Sequence, residues 1–174
     1  MKLTFLVVYF ILISLSSNFV YAEDKIVFVD SSRIINTSLA GQSITEQLKI
    51  LNKKNIENFT KKENDLKKEE TKLLAQKNVL DEEQYINKVN NFKSKVEQYN
   101  NDKKKATADF NKKKYEAQKT LLTILQKTLS EYSEKNSIAL IISKENVIIG
   151  KKQLDITELV IEDLNSSIKE IQIK

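Results

Sequence analysis

The chain has 174 residues, 29 of them basic and 24 acidic, and a net charge of +5 at neutral pH. It contains no histidine, cysteine, proline or tryptophan, which removes the commonest general base, the reactive thiol, most zinc ligands and any disulfide. We therefore predict that the chain is not an enzyme and has no catalytic residue, no cofactor and no metal site.

The N-terminal segment has the features of an export signal. Lys2 precedes a mainly apolar run, Leu3 to Leu15, and the small residues that a signal peptidase recognises follow at Val20-Tyr21-Ala22. The run is short for a membrane-spanning helix, which needs about 20 apolar residues. We predict that residues 1–22 are a cleaved signal peptide, so that the chain leaves the cytoplasm. An uncleaved anchor is the alternative.

The next segment predicts a strand followed by a short helix. Lys25-Ile-Val-Phe-Val29 is rich in β-branched residues, which is typical of a buried strand. Asp30 is placed to cap one or two helical turns that continue to Asn36. Gly41 is predicted to break the chain before a longer helix.

The central part predicts long helices. The chain has no glycine or proline from Gln42 to Ile149, and its apolar residues recur with the 3.5-residue spacing of helices that wind around each other. We predict a first helix over residues 43–78, a turn near residues 79–83 and a second helix that Asp81 caps. A single uninterrupted helix remains open. Four leucines of the second helix are predicted to return into the body: Leu121, Leu122, Leu125 and Leu129.

The C-terminal part returns to strand-like composition. Residues 138–142 and 147–149 are strand-like apolar runs separated by the turn-forming Ser143-Lys-Glu-Asn146. Asp155 and Glu158 have capping-box spacing before a helix that is predicted to continue to Leu164. The simplest core pairs the first strand with these two, which makes the long insertion an antiparallel helical hairpin.

These elements define the predicted fold class: α+β, mostly α, with a small strand body and a long coiled-coil arm. The body is discontinuous, comprising residues 23–41 and 130–174, and the arm comprises residues 42–129. Because so small a body has little core and no disulfide or metal to stabilise it, we predict a homo-oligomer formed through the body.

The two ends of this pattern resemble a known family. Lys25-Ile-Val-Phe-Val-Asp30, Arg33-Ile-Ile-Asn36, Ser143 to Gly150 and Leu154-Asp-Ile-Thr157 are similar to the Skp/OmpH family of periplasmic chaperones for outer-membrane proteins. The resemblance implies a jellyfish-like trimer whose arms enclose a cavity. It also implies a periplasmic location and ATP-independent binding of unfolded outer-membrane β-barrel proteins. The arms here have no arginine, so no lipopolysaccharide site is carried over.

Two groups of residues are candidate sites. The arm seam and its lysine clusters are predicted to bind clients: Phe59, Tyr85, Val89, Phe92, Val96, Tyr99, Phe110, Lys103, Lys104, Lys105, Lys112 and Lys113. The strands are predicted to form the oligomerisation body: Ile26, Val27, Phe28, Val29, Leu140, Ile141, Ile142, Val147, Ile148 and Ile149.

Several alternatives remain at this stage. For any single residue, packing between the two helices is the preferred explanation of the aromatic side chains, and a solvated face is that of the lysines. Residues 46–119 hold 19 lysines against 13 acidic residues, so anionic lipid surfaces are possible partners, whereas nucleic acid is a poor candidate for an exported chain. A structural coiled-coil spacer or tether of the cell envelope is the alternative function.

Overall fold

The computed structural model describes residues 25–173, so the predicted signal peptide lies outside the described residues. The described part is mostly helical, with one small sheet and two long helices. Its elements in chain order are β1 (Lys25–Val29), α1 (Ser31–Thr37), α2 (Leu39–Ala75), α3 (Glu82–Lys135), β2 (Ile138–Ser143) and α4 (Thr157–Ser167). Short 3₁₀ turns, Lys144–Asn146 and Lys152–Leu154, lie between β2 and α4.

The sheet has two parallel strands rather than the three predicted. β1 pairs with β2 so that Ile26 lies beside Leu140 and Val27 beside Ile141. The prediction of a further strand at residues 147–149 is wrong, because this segment follows a 3₁₀ turn and pairs with neither strand. Gly150, which follows this segment, lies close to the ring of Phe28: an added Cβ there would come 2.7 Å from the ring.

The predicted cap of the short helix α1 is confirmed, and the predicted break at Gly41 is wrong. The Asp30 side chain accepts a hydrogen bond from the Arg33 amide at 2.8 Å, which caps α1. The chain then breaks at Ser38, whose hydroxyl caps α2, and α2 passes straight through Gly41. Glycine is required there because an added Cβ would lie 1.7 Å from the carbonyl oxygen of Ile35. Gly41 therefore permits close packing of α1 on α2.

A turn separates the two long helices. α2 ends at Ala75, residues 76–81 form the turn, and α3 begins at Glu82. The predicted cap is confirmed, since the Asp81 carboxylate accepts a hydrogen bond from the Gln84 amide at 2.9 Å. A single uninterrupted helix is excluded.

The hydrophobic core lies where both ends of the chain meet. Val27, Ile34, Val160 and Leu164 are fully buried there, and burial of such side chains contributes about 1.5–3 kcal/mol each. The end of α3 returns into this core as predicted for three of its four leucines. Leu121 and Leu125 are buried and Leu129 packs against them, but Leu122 is 44% exposed because it lies on the outer face of the helix.

Asp155 links the 3₁₀ turn at Lys144 to the start of α4 beside this core. The predicted capping box is wrong: α4 begins at Thr157 without a side-chain cap. Asp155 instead accepts hydrogen bonds from the backbone and hydroxyl of Thr157, and from Lys144 at 2.8 Å. Burial alone would raise the pKa of Asp155, but the hydrogen bonds from Lys144 and Thr157 outweigh it and lower the pKa below its usual range.

Replacing Asp155 with Asn is expected to lower the free energy of unfolding by about 1–3 kcal/mol at neutral pH, because three hydrogen bonds lose a charged acceptor. A carboxyl whose pKa is lowered by folding stabilises the fold above its unfolded pKa of about 3.9 and loses that effect as the pH falls. The difference in the free energy of unfolding between Asp155→Asn and the original protein, measured by urea titration, should therefore narrow below about pH 4. A difference that stays constant down to pH 2.5 would contradict this role.

Candidate functional site

The two long helices contact each other along most of their length. Lys62 pairs with Asp102 at 3.1 Å, and Glu69 pairs with Lys95 at 2.6 Å. Nearer the turn, the Lys88 ammonium donates to the side-chain oxygen of Gln76 at 2.8 Å. In these three pairs the residue numbers on the α2 side rise from 62 to 76, whereas those on α3 fall from 102 to 88. These three contacts show which stretches of α2 and α3 face each other.

The apolar seam is loosely packed. No residue from Thr45 to Glu116 is buried, although the helices contact each other throughout this range. The seven predicted apolar client-binding residues are all half-buried: Phe59, Tyr85, Val89, Phe92, Val96, Tyr99 and Phe110. They therefore face the partner helix, as the alternative interpretation expects, and still present part of their apolar surface to solvent.

An aromatic pair lies near the middle of the seam. The rings of Phe59 and Tyr99 meet edge to face with centroids 5.9 Å apart, an arrangement that adds about 0.5–1.5 kcal/mol to the burial itself. The ammonium of Lys62 lies 5.7 Å from the Phe59 ring centroid, and that of Lys103 lies 5.8 Å from the Tyr99 centroid. Cationic groups thus border the aromatic surface.

Two open cavities lie between α2 and α3, one lined by this aromatic pair and the other closer to the body. One has a volume of about 260 Å³ and the other about 420 Å³. Both are lined by Asn52 and Phe110, so they join into a single depression that we call the long groove. It extends along α2 from Gly41 to Glu63.

One carboxylate lines the long groove, that of Glu63. Its pKa is lowered mainly by the hydrogen bond and charge of Lys67, which outweigh the opposing effect of desolvation, and Lys103 and Tyr99 lower the pKa further. Three ammonium groups line the same groove, those of Lys49, Lys103 and Lys114. The groove therefore has an excess of positive charge at neutral pH.

The predicted lysines fall into different settings. Lys103 lines the long groove, and Lys113 is half-buried beside Asp109 at 3.2 Å. Lys104, Lys105 and Lys112 are exposed and line neither cavity. Only Lys103 is therefore brought together with the predicted aromatic residues.

Sequence reasoning missed an apolar residue of the groove. Ile56 lines the smaller cavity and is 57% exposed. It lies outside the seam repeat, so periodicity assigned it no role. The available signal was a large apolar side chain outside the apolar repeat of an otherwise polar helix.

The ten predicted oligomerisation residues divide by exposure. Val27, Phe28 and Val29 are buried in the single chain, and Ile141, Ile142 and Val147 are half-buried. Four are exposed and are called the body patch: Ile26 at 50%, Leu140 at 50%, Ile148 at 102% and Ile149 at 91%. Ile26 and Leu140 are neighbours across the sheet. The four residues of the body patch are thus apolar side chains that the single chain leaves exposed.

Two kinds of feature are absent from residues 25–173. No cluster of three or more acidic, histidine or cysteine side chains in that range is arranged to hold a metal ion. None of the helices described there combines the length and the apolar character needed to cross a membrane.

Comparison with known proteins places this geometry in context. The sequence model of a family described as outer membrane protein (OmpH-like) matches residues 25–164. No curated protein sequence matches the chain. The fold is similar to a crystal structure described as a candidate OmpH-like outer membrane chaperone from Caulobacter crescentus. That similarity has a TM-score of 0.82 at 17% identity, over 87% of this chain and 89% of the other.

Proposed function

We propose that this chain, which belongs to the OmpH-like outer membrane protein family, is a periplasmic holding chaperone that works without ATP. It would bind unfolded outer-membrane β-barrel proteins and prevent their aggregation, without carrying out a chemical reaction. Family membership and the chaperone-like fold support the general assignment. The holding mechanism is argued from the residues of the long helices.

The observation that carries the proposal is the loose seam. Between Thr45 and Glu116 the helices touch without burying a single residue, so aromatic and aliphatic surface remains accessible along the arm. Unfolded β-barrel proteins expose strands of alternating apolar residues and aromatic girdles. Many shallow contacts with such a surface would hold a client without imposing a fold on it.

The proposed working shape is an antiparallel hairpin arm on a trimeric body. From Thr45 to Ala75, α2 extends about 45 Å at 1.5 Å per residue, and α3 returns beside it. The body patch supports self-association, because its four large apolar residues are half or fully exposed in the single chain. The arm corresponds to residues 42–129 and the body to residues 23–41 and 130–174.

The cellular setting follows from the same proposal. Residues 1–22 would direct export and be removed, leaving the body and arm in the periplasm, where unfolded barrel proteins pass on their way to the outer membrane. The lysine clusters of the arm would attract acidic segments of clients and anionic lipid surfaces.

Capture of an unfolded client tests the proposal. A urea-unfolded outer-membrane barrel protein, diluted into nucleotide-free buffer with the protein that begins at Glu23, is expected to co-elute with it in size-exclusion chromatography. Raising the salt to about 1 M should weaken capture only in part, because screening removes the charge attraction and leaves the apolar contacts. A folded oligomer that elutes without the client, at low and high salt alike, would refute the proposal.

A further inference from the structure

The length of the long groove limits what can fill it. From Gly41 to Glu63 it extends about 33 Å, since a helix rises 1.5 Å per residue. An extended chain advances about 3.3 Å per residue, so about ten residues span the same distance. That is the length of one membrane-spanning β-strand, about 9–11 residues.

The lining of the groove suits an extended peptide rather than a helix or a small molecule. Its floor is apolar along the whole length, from Ile44 and Leu48 near the body to Phe110 and Phe59 farther out. Side chains on one face of a strand recur about every 7 Å, so successive apolar residues of a bound strand would meet successive parts of this floor.

The walls of the groove carry polar groups suited to a peptide backbone. Asn52, Asn55 and Gln118 supply amides, and Thr107 supplies a hydroxyl. Amide side chains both donate and accept hydrogen bonds, so they can satisfy exposed N–H and C=O groups in any sequence. The excess of lysine over carboxylate along the groove favours acidic residues on the outward face of the strand.

From this geometry we propose that the long groove binds one extended client segment of about ten residues, with alternate apolar side chains inserted between α2 and α3. The inference rests on the proposed function and adds a defined site to it. Each arm then holds a single strand in its own groove, in addition to any contact that the arms make together. Ile56 and Phe110 contact the apolar face of the bound strand, and Lys49, Lys103 and Lys114 lie beside its outer face.

Peptide binding to the full oligomer tests the site. Fluorescein-labelled peptides of about six, ten and fourteen residues, with valine or tyrosine alternating with serine or aspartate, are titrated and followed by anisotropy. Affinity is expected to rise from six to ten residues and then level off. Ile56→Asp should weaken binding of the ten-residue peptide about tenfold, because an isoleucine side chain that the peptide would cover is replaced by a charge.

Ile50→Asp is the matched control. Ile50 lies on the same helix, is 46% exposed, and lines neither cavity, so this variant should bind the peptide within about twofold of the original protein. Circular dichroism and light scattering would establish that both variants are folded and equally oligomeric. Ala106→Phe, which narrows the groove without adding a charge, should weaken binding in the same way as Ile56→Asp.

The outcomes separate the groove from the wider function. Equal affinities for Ile56→Asp, Ile50→Asp and the original protein would refute the proposal that the long groove binds the peptide. An affinity that keeps rising at the same rate with peptides longer than ten residues would refute it as well. If the original protein then still prevents barrel aggregation, the chaperone proposal stands without this site. If it neither binds the peptides nor prevents aggregation, both proposals fail.

Discussion

Removal of residues 55–107, with a short Gly-Asn turn joining residues 54 and 108, is expected to abolish client protection and leave the body folded. Asn55 and Thr107 line the same cavity, so they lie at the same position along the helix pair. The deletion therefore removes matching lengths of α2 and α3. The change deletes most of the half-buried apolar seam, including Phe59 and Tyr99, and half of the long groove. The hydrophobic core remains, because its arm-side residues are Ile44, Ala117, Leu121 and Leu125.

The concentration that half-suppresses aggregation of an unfolded barrel should rise at least about tenfold in this truncated protein, since most of the apolar contact area is lost. A shorter truncation, residues 70–94, is the control. It ends on the Glu69–Lys95 ion pair and retains the whole long groove, so it should keep part of the activity. A protein without residues 55–107 that protects as well as the full chain would show that the arm is not the binding element.

The double variant Ile148→Asp/Ile149→Asp is expected to convert the proposed oligomer into folded single chains. Both side chains are almost completely exposed in the single chain, so the charges cost the protomer little. In a subunit interface the same charges would be desolvated without partners. We expect the dissociation constant to rise about 100-fold or more, measured as a fall in mass by light scattering at unchanged helicity.

Val27→Asp is the control for this second prediction. Val27 is fully buried within one chain, so its replacement by a charge should unfold the body itself, with loss of thermal stability as well as mass. The comparison separates the surface that joins subunits from the core that holds each one. An Ile148→Asp/Ile149→Asp protein of unchanged mass would show that the body patch is not the subunit interface.

Local chemistry made several features predictable from the sequence. The caps at Asp30 and Asp81 were found because a side chain and a backbone amide three residues later form a self-contained unit. The β1 strand was found because its β-branched composition is that of a buried strand. The family resemblance at the two ends of the chain is confirmed by the match over residues 25–164.

Features that depend on contacts between distant segments were not predictable in the same way. Gly41 was interpreted as a break, but its role depends on the carbonyl oxygen of Ile35 in another helix. The segment Val147–Ile149 has strand composition, but in a single chain it has no strand beside it. Composition supplies the tendency to form a strand, and a neighbouring strand must supply the hydrogen bonds.

The long groove required the structure as well. Ile56 does not follow the seam repeat, and Ala106 is a small residue within it. The fact that both line one cavity depends on how α2 and α3 are rotated against each other. Periodicity identifies which face of a helix is apolar, but it does not show where two such faces fail to close.

Suppression of aggregation tests the central claim most directly. A urea-unfolded outer-membrane barrel protein is diluted into nucleotide-free buffer with increasing amounts of the protein that begins at Glu23, and light scattering is followed. The chaperone proposal predicts that scattering is abolished at about one oligomer per client, because each client is enclosed by one set of arms. Scattering that is unchanged by a folded, oligomeric sample would contradict the proposal and is the result expected of a structural spacer.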